Sequence, residues 1–358
     1  MKEKYRGKIL FVKAAVSAAF FFLLLSFVQH NALISVFTDV NWTFFTLSFV
    51  LAFVMLMVSC MKWKVLLDAS GRRINYFLLL RIYFIGYFFS NLLPSTFGGD
   101  VVRSYYVGRM IENQASAAAS IFLERFTGIL CLLLLVVIAP LLHPELYRNP
   151  FIYIPSAGAA FLLFLVFCIW KMKEPFSLPD KAMKHIFTTL NRWTLRMDMR
   201  RMQRLVAGVE NVYVEFLKRL RRFKIELQTS LAALRSNRRN PALVLMLTAA
   251  FYFLTWVNVH VSFLAFGVQP GFAAICALVP TIMFVGQIPL TILGNLGFIE
   301  SIFVIYFLQM QIPAAESLAM VLLLRIKILS LGTIGYFVYL SLTRGDNKTF
   351  RPFNGGSA

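Results

Sequence analysis

The chain has 358 residues, of which 59% are hydrophobic and 15% are charged, and its mean hydropathy is +0.72. Soluble domains carry charge on about a quarter of their residues, so this composition excludes an ordinary soluble protein and indicates an integral membrane protein. The net charge of +20 does not indicate nucleic-acid binding, because the basic residues cluster between apolar segments, as cytoplasmic loops do.

The apolar segments predict an all-α fold, a polytopic bundle of transmembrane helices. The first segment, 9–29, is long enough to span a bilayer, so we interpret it as a retained helix rather than a cleaved signal peptide. Further spans are predicted at 42–61, 116–142, 151–170, 241–266 and 317–342. Two other apolar regions, 75–112 and 272–310, are interrupted by proline and glycine.

The basic residues predict the orientation of these helices. Residues 1–13 contain five Lys or Arg, which places the N-terminus in the cytoplasm. The segment 61–73 is also basic and is predicted to lie on the cytoplasmic side. The polar insert 171–240 has 17 Lys or Arg and 6 Asp or Glu, so it is predicted to be cytoplasmic. We expect one transmembrane domain over 1–342 and a flexible cytoplasmic tail over 343–358, in the cell (inner) membrane.

The first interrupted region reads "SNLLPSTFGGD" at its centre, where Pro94 ends a helix and Gly98 and Gly99 permit a sharp reversal. If 75–92 crossed the membrane, the next predicted helix would run in the wrong direction. A re-entrant hairpin that enters from the cytoplasm and returns to it adds no crossing, so the next helix keeps its expected direction. Such a hairpin implies a cavity around the broken backbone. The alternative is an ordinary span that locally violates the charge rule.

The second interrupted region contains Pro280, Pro289 and several glycines, and its flanks are uncharged. This pattern favours a hairpin that enters from the outside. Two full spans would also return the chain to the outside, so they are the alternative. Corresponding broken segments in two halves are typical of transporters built from an inverted repeat, with a polar pathway where the breaks meet.

Ionisable residues inside the membrane are candidates for a functional site. Asp100 and Arg103 share a helix face, and the free amides at Gly98 and Gly99 suit a lipid phosphate. Alternatively, Asp100 caps the helix and Arg103 extends to the interface.

The pair Glu124 and Arg125 begins a long apolar helix, with Asp100 a candidate partner of Arg125, and Arg103 of Glu124. These pairs predict either a structural link that holds the hairpin or a direct ligand contact.

Glu300 and Arg325 are the preferred pair in the second half, with Asn91 and Asn295 adding polar groups near the two breaks. Lys327, in the same helix as Arg325, is expected to extend to the membrane interface.

Within the insert, the spacing of apolar residues over 206–224 predicts a basic amphipathic helix on an anionic membrane surface. The alternative is a loop that only sets the topology. The sequence has no metal-ligand spacing among its cysteines and histidines and no nucleotide-binding loop, so we predict no metal and no cofactor.

Three motifs, "NLLPSTFGGDVVRSYYVGR", "LERFTG" and "GNLGFIE", resemble in order those of the lysylphosphatidylglycerol synthase transmembrane-region family, also called flippase-like domain proteins, over residues 10–342. Asn295 departs from the glycine-rich run expected at its position. The resemblance implies an integral membrane protein that handles lipids, without the soluble aminoacyltransferase domain of the bifunctional relatives. The motif positions are Asn91, Pro94, Gly98, Gly99, Asp100, Arg103, Glu124, Arg125, Gly294, Gly297 and Glu300.

We therefore expect translocation of an anionic, polyprenyl or glycosylated lipid between leaflets. The alternatives are a membrane-embedded transferase acting on a lipid phosphate, and a scaffold for cell-envelope lipid enzymes. The expected partners are anionic membrane lipids, with a homo-oligomer or a cell-envelope enzyme as open expectations and no nucleic acid. The predicted substrate-binding residues are Asn91, Gly98, Gly99, Asp100, Arg103, Glu124, Arg125, Asn295, Glu300 and Arg325.

Overall fold

The computed structural model describes residues 35–92, 97–171, 218, 222–288 and 295–344. Several predicted features lie outside these residues. They are the first span at 9–29, the tips of both breaks at 93–96 and 289–294, most of the insert with its amphipathic helix, and the tail from 345.

Every regular element in these described ranges is helical, which confirms the predicted fold class. Before the insert, the helices are Trp42–Ala69 (α1), Tyr76–Leu92 (α2), Gly98–Met110 (α3), Gln114–Leu142 (α4) and Pro150–Lys171 (α5). After it come Arg239–Leu264 (α6), Phe272–Val285 (α7), Phe298–Leu308 (α8) and Ala314–Arg344 (α9). A short 3₁₀ helix, Leu146–Arg148, precedes α5, and residues 222–236 are helical.

Helices α1, α4, α5, α6 and α9 are each long and apolar enough to cross a membrane. Each coincides with one of the spans predicted from composition, although α6 ends at Leu264, before the predicted limit at 266. Large apolar side chains such as Leu141, Phe151 and Phe337 lie exposed on the outer surface of the bundle. In water such a surface would be unfavourable, whereas the hydrocarbon core of a bilayer is its natural solvent.

Side-chain caps explain where two of these helices begin. The Asn41 carboxamide oxygen accepts hydrogen bonds from the amides of Thr43 and Phe44 at the start of α1. At the start of α4, the Asn113 side chain accepts a hydrogen bond from the Ser116 amide at 2.9 Å. Asparagine is among the preferred residues at this position because it satisfies otherwise unpaired amides.

Helix α1 extends beyond the predicted span 42–61. It continues to Ala69 through the first part of the basic segment 61–73 and buries Lys62 and Trp63. The helix then stops at Gly71, whose φ of +77° is accessible to glycine at little cost.

Helices α1 and α6 run antiparallel. The Asn41 amide, before α1, donates to the Ala265 carbonyl, after α6, at 2.8 Å. At the opposite end of the pair, Leu66 of α1 and Val244 of α6 belong to one apolar cluster. This arrangement gathers the basic residues that follow α1 and precede α6 at one end of the bundle.

The packing of the two short helices α2 and α3 depends on glycine. A Cβ atom built on Gly99 of α3 would meet the Gly86 carbonyl and the Ser90 hydroxyl of α2. Because the Gly86 carbonyl is backbone, the contact cannot relax by a rotamer change alone.

We expect Gly99→Ala to lower the free energy of unfolding by about 1–3 kcal/mol, as overpacking of a tight contact does. Thermal unfolding of the detergent-solubilised protein measures this effect. Gly158→Ala is the matched control, since it lies within α5 and has no atom within 4 Å of its Cβ position. An equal loss of stability in both variants would contradict the proposed close contact.

Candidate functional site

Four charged groups meet where α3 packs against α4. Arg103 donates to the Asp100 carboxylate at 2.6 Å and to the Glu124 carboxylate at 3.0 Å. Arg125 donates to Asp100 through Nε at 2.9 Å and through Nη2 at 3.1 Å. The structure thus contains both ion pairs predicted from sequence, and it joins them into one chain through the two oxygens of Asp100.

The Arg103 guanidinium is enclosed on all sides by protein. Its carbon lies 4.3 Å from the centre of the Tyr83 ring and 4.9 Å from the centre of the Trp63 ring. The Tyr83 hydroxyl in turn donates to Glu124 at 2.9 Å. With 3% of its surface exposed, Arg103 is a structural cation rather than an accessible one, and it does not extend to the membrane interface.

Arg125 differs from Arg103 because 51% of its side chain is exposed. It borders a groove of about 500 Å³ between α3 and α4. The walls of the groove are mainly apolar and are formed by Phe97, Val101, Tyr105, Ile121, Phe122 and Phe223. Asp100, Ser104 and Gln114 add polar groups beside Arg125. The groove therefore combines one accessible guanidinium with a surface suited to hydrocarbon.

A second site lies at the start of α8. The Glu300 carboxylate accepts from the Gly297 amide at 2.7 Å and from Arg325 Nη2 at 2.6 Å. It therefore caps its own helix and binds α9 at the same time. Glu300 is buried, and 15% of the Arg325 side chain is exposed. The predicted Glu300–Arg325 pair is confirmed.

The two predicted asparagines bind backbone rather than each other. Asn91 donates to the Ile328 carbonyl at 3.1 Å and so ties the end of α2 to α9. Asn295, with φ of +60°, donates to the carbonyls of Gly286 and Ile288 at 3.0 and 2.8 Å. The Asn295 side chain thus satisfies carbonyl groups that the end of α7 leaves without an intrahelical partner.

The predicted site residues form two groups, one in each half of the chain. Asp100 and Arg125 are the third residue of α3 and the twelfth of α4. Glu300 and Arg325 are the third residue of α8 and the twelfth of α9. We call α1–α4 the first repeat and α6–α9 the second repeat.

Helix packing supports this equivalence of the repeats. Helix α2 packs on α9, and its counterpart α7 packs on α4. Because α1 and its counterpart α6 are antiparallel, the second repeat is inverted with respect to the first.

Sequence reasoning missed several residues of the site. Lys62, Trp63 and Tyr83 surround the first group of charges, and their contribution depends on how α1 and α2 pack. The prediction that Lys327 extends to the interface is wrong, because its ammonium is buried and donates to Asn258 and Ser262. The spacing of 25 residues in both Asp100–Arg125 and Glu300–Arg325 is the sequence pattern that would have revealed the repeat.

Comparison with known proteins identifies the family. The family model described as "Lysylphosphatidylglycerol synthase TM region" matches residues 10–335. The chain belongs to this family. No curated protein and no solved structure matches it. With five helices of spanning length and this family membership, the protein is a multi-pass integral membrane protein.

Proposed function

We propose that this protein translocates an anionic, polyprenyl-linked or glycosylated lipid between the two leaflets of the cell membrane. The observation that carries the proposal is the groove between α3 and α4, where the half-exposed Arg125 lies beside an apolar wall. A guanidinium binds phosphate oxygens with charge-assisted hydrogen bonds, and the apolar wall suits an acyl or prenyl chain.

The position of α2 supports the re-entrant hairpin that such a pathway needs. Its last turn reaches Ile328, which lies near the middle of the long helix α9. Helices α2 and α3 have 17 and 13 residues, so at 1.5 Å per residue they extend only about 26 and 20 Å. Neither matches the hydrocarbon core of about 30 Å.

The proposed orientation places the basic end of the bundle in the cytoplasm. Arg72 and Arg73, which follow α1, and Arg238 and Arg239, at the start of α6, lie towards the same end. Positive residues are retained on the cytoplasmic side, so the N- and C-termini are proposed to be cytoplasmic as well.

The direct test is leaflet-resolved lipid transport in proteoliposomes that contain the full chain. Fluorescent reporters of phosphatidylglycerol, phosphatidylethanolamine and a polyprenyl phosphate are placed in one leaflet, and a membrane-impermeant quencher reports their arrival in the other. We expect the wild-type protein to accelerate transfer of an anionic reporter. If it transfers none of the three classes, the proposal of autonomous translocation is wrong.

Filling the groove with a large side chain tests in the same assay whether the lipid passes through it. Ala118→Trp introduces an indole into the groove, and we expect it to lower the transfer rate at least tenfold because the lipid chain loses its binding surface. Leu141→Trp places the same side chain on the exposed outer surface, where we expect the wild-type rate. Equal rates in the two folded variants would show that the groove is not the pathway.

A further inference from the structure

The helical residues 222–236, which precede α6, lie on the basic end of the bundle, and we call them the strap helix. One side of the strap helix belongs to an apolar cluster with residues of α1, α4 and α6. Its contributions to the cluster are Leu227, Leu231 and Leu234. Ile225, about 200° around the helix from Leu227, has 61% of its surface exposed. The strap helix is therefore amphipathic and is held to the bundle by its apolar side.

One end of the strap helix reaches the groove between α3 and α4. The Phe223 ring packs edge-on against the Phe122 ring, with the ring centroids 5.6 Å apart, and it lines the groove. The other residues that line the groove belong to α3, to its N-cap Phe97 or to α4. Phe122 lies three residues before Arg125, on the same face of α4. The strap helix thus contributes one wall of the groove, close to the exposed guanidinium.

The polar contact between the strap helix and the bundle that the structure describes is a single hydrogen bond. Asn113 Nδ2 donates to Glu226 Oε1 at 2.8 Å. Asn113 Oδ1 also accepts from the Ser116 amide and so caps α4. Gln114, the next residue, lines the groove. This hydrogen bond therefore fixes the strap helix at the end of α4 where the groove begins.

The strap helix is joined to α6 at Asn237 and Arg238. Asn237 Oδ1 accepts from the Arg239 amide at 3.1 Å, and the Asn237 carbonyl accepts from the Asn240 amide at 3.0 Å. These bonds satisfy amides that a helix N-terminus otherwise leaves without a partner. The start of α6 therefore does not depend on the strap helix, and the strap helix can rotate about this joint.

Phe223 is the end of the strap helix that such a rotation moves most. It lies 14 residues from Asn237, or about 21 Å at 1.5 Å per residue. A rotation of roughly 10–15° over that length moves the ring by about 4–5 Å, enough to separate it from Phe122. Leu234 lies only three residues from Asn237, so its apolar contacts persist.

We propose that the strap helix is a gate that controls the entry of a lipid chain into the groove from the cytoplasmic leaflet. Phe223 closes the gate against Phe122, and the hydrogen bond between Asn113 and Glu226 is its latch. This inference rests on the proposed function and orientation, because it takes the groove as the site that a lipid enters. Opening the gate separates the two rings and exposes Arg125 to the leaflet.

Releasing the latch without removing the cap of α4 tests the proposal. Asn113→Asp keeps an oxygen for the Ser116 amide but replaces the amide donor with a carboxylate that repels Glu226. Ser104→Cys places a thiol in the groove, and its labelling by a membrane-impermeant maleimide in lipid nanodiscs measures access. The chain without this substitution gives the background from the four natural cysteines. We expect Asn113→Asp to raise the labelling rate about threefold to tenfold, because one hydrogen bond no longer holds the closed state.

A second substitution restores the latch with its polarity exchanged. In Asn113→Asp combined with Glu226→Gln, the new amide donates to the new carboxylate, so we expect the wild-type labelling rate. Phe223→Ala removes the closing ring and is expected to raise the rate as Asn113→Asp does. Ile225→Ala is the matched control on the exposed side of the same helix, and we expect no change. The gate is overturned if the double variant labels as fast as Asn113→Asp, or if Phe223→Ala labels at the wild-type rate.

Transfer of lipid between leaflets gives an independent result. We expect Asn113→Asp and Phe223→Ala to transfer lipid faster than the wild type, whereas slower transfer in both would show that the strap helix is only a wall of the groove. If labelling responds as expected but the wild type moves no lipid, the gate holds and the translocation proposal fails. If the wild type moves lipid and neither variant changes the labelling rate, translocation holds and the gate is overturned.

Discussion

Glu124→Gln is expected to lower the free energy of unfolding by about 3–5 kcal/mol, the range seen when one partner of a buried ion pair is removed. The substitution keeps the size of the side chain but leaves Arg103 without one of its two carboxylates. It also changes the group that accepts the hydrogen bond of Tyr83. Chemical or thermal unfolding in detergent measures the loss.

The second repeat suggests a variant that restores this stability. At the positions equivalent to Arg103 and Glu124 it has Phe303 and Leu324, so the same crossing tolerates an apolar pair. We expect Arg103→Phe combined with Glu124→Leu to recover most of the loss, because both charges of the buried pair are removed together and a phenyl ring fits beside Trp63. A double variant less stable than Glu124→Gln would contradict this equivalence.

The same double variant decides between a structural link and a ligand contact, the two roles that the sequence allows for these residues. Asp100 and Arg125 remain paired in it, and the groove is unchanged. We therefore expect transport in proteoliposomes near the wild-type rate, since Arg103 is enclosed and not available to a headgroup. Loss of transport by a stable double variant would show that Arg103 or Glu124 contacts the lipid.

The spanning helices and the partners of the intramembrane charges can be predicted from the sequence for one physical reason. Apolar segments of about 20 residues are stable only as helices in hydrocarbon, and an ionisable group there needs a partner. That reasoning identifies Asp100 as the partner of Arg125 and Glu300 as the partner of Arg325 from the sequence alone. It also predicts polar side chains near both breaks. It does not identify the backbone carbonyl groups to which those side chains donate.

The wrong predictions concern residues whose environment depends on long-range packing. Lys62 lies just beyond the predicted span 42–61, yet α1 continues past it and buries it. For Lys327 the sequence predicts a side chain that extends towards water, but α6 supplies Asn258 and Ser262 as local acceptors. Neither acceptor is recognisable from a single sequence, because the contacts join residues 65 to 69 positions apart.

Arg125→Gln is expected to have the opposite profile to Glu124→Gln, with a large effect on transport and a small effect on stability. The Arg125 side chain is half-exposed, and its Nη1 has no hydrogen-bond partner in the described part of the chain. Asp100 keeps its 2.6 Å contact with Arg103 when Arg125 is neutralised. A partly exposed ion pair contributes only about 1 kcal/mol or less to stability.

The expected loss of transport is roughly tenfold to a hundredfold. Hydrogen bonds to charged groups contribute about 1.5–3 kcal/mol, and each 1.4 kcal/mol corresponds to a factor of ten. Arg125→Lys retains the charge but not the planar fork that binds two phosphate oxygens, so we expect an intermediate rate. Initial rates of leaflet-resolved transfer of phosphatidylglycerol measure both variants.

Arg109→Gln is the matched control, because Arg109 is an exposed arginine in the last turn of α3 and lies outside the groove. The substitution also removes one positive charge, here from α3, which packs against α4. Wild-type transport in this variant would therefore exclude a general effect of surface charge. If Arg125→Gln instead transports at the wild-type rate while Arg325→Gln does not, the headgroup passes through the second repeat. The apolar wall of the groove would then bind lipid chains, and the Arg125 guanidinium would not bind the headgroup.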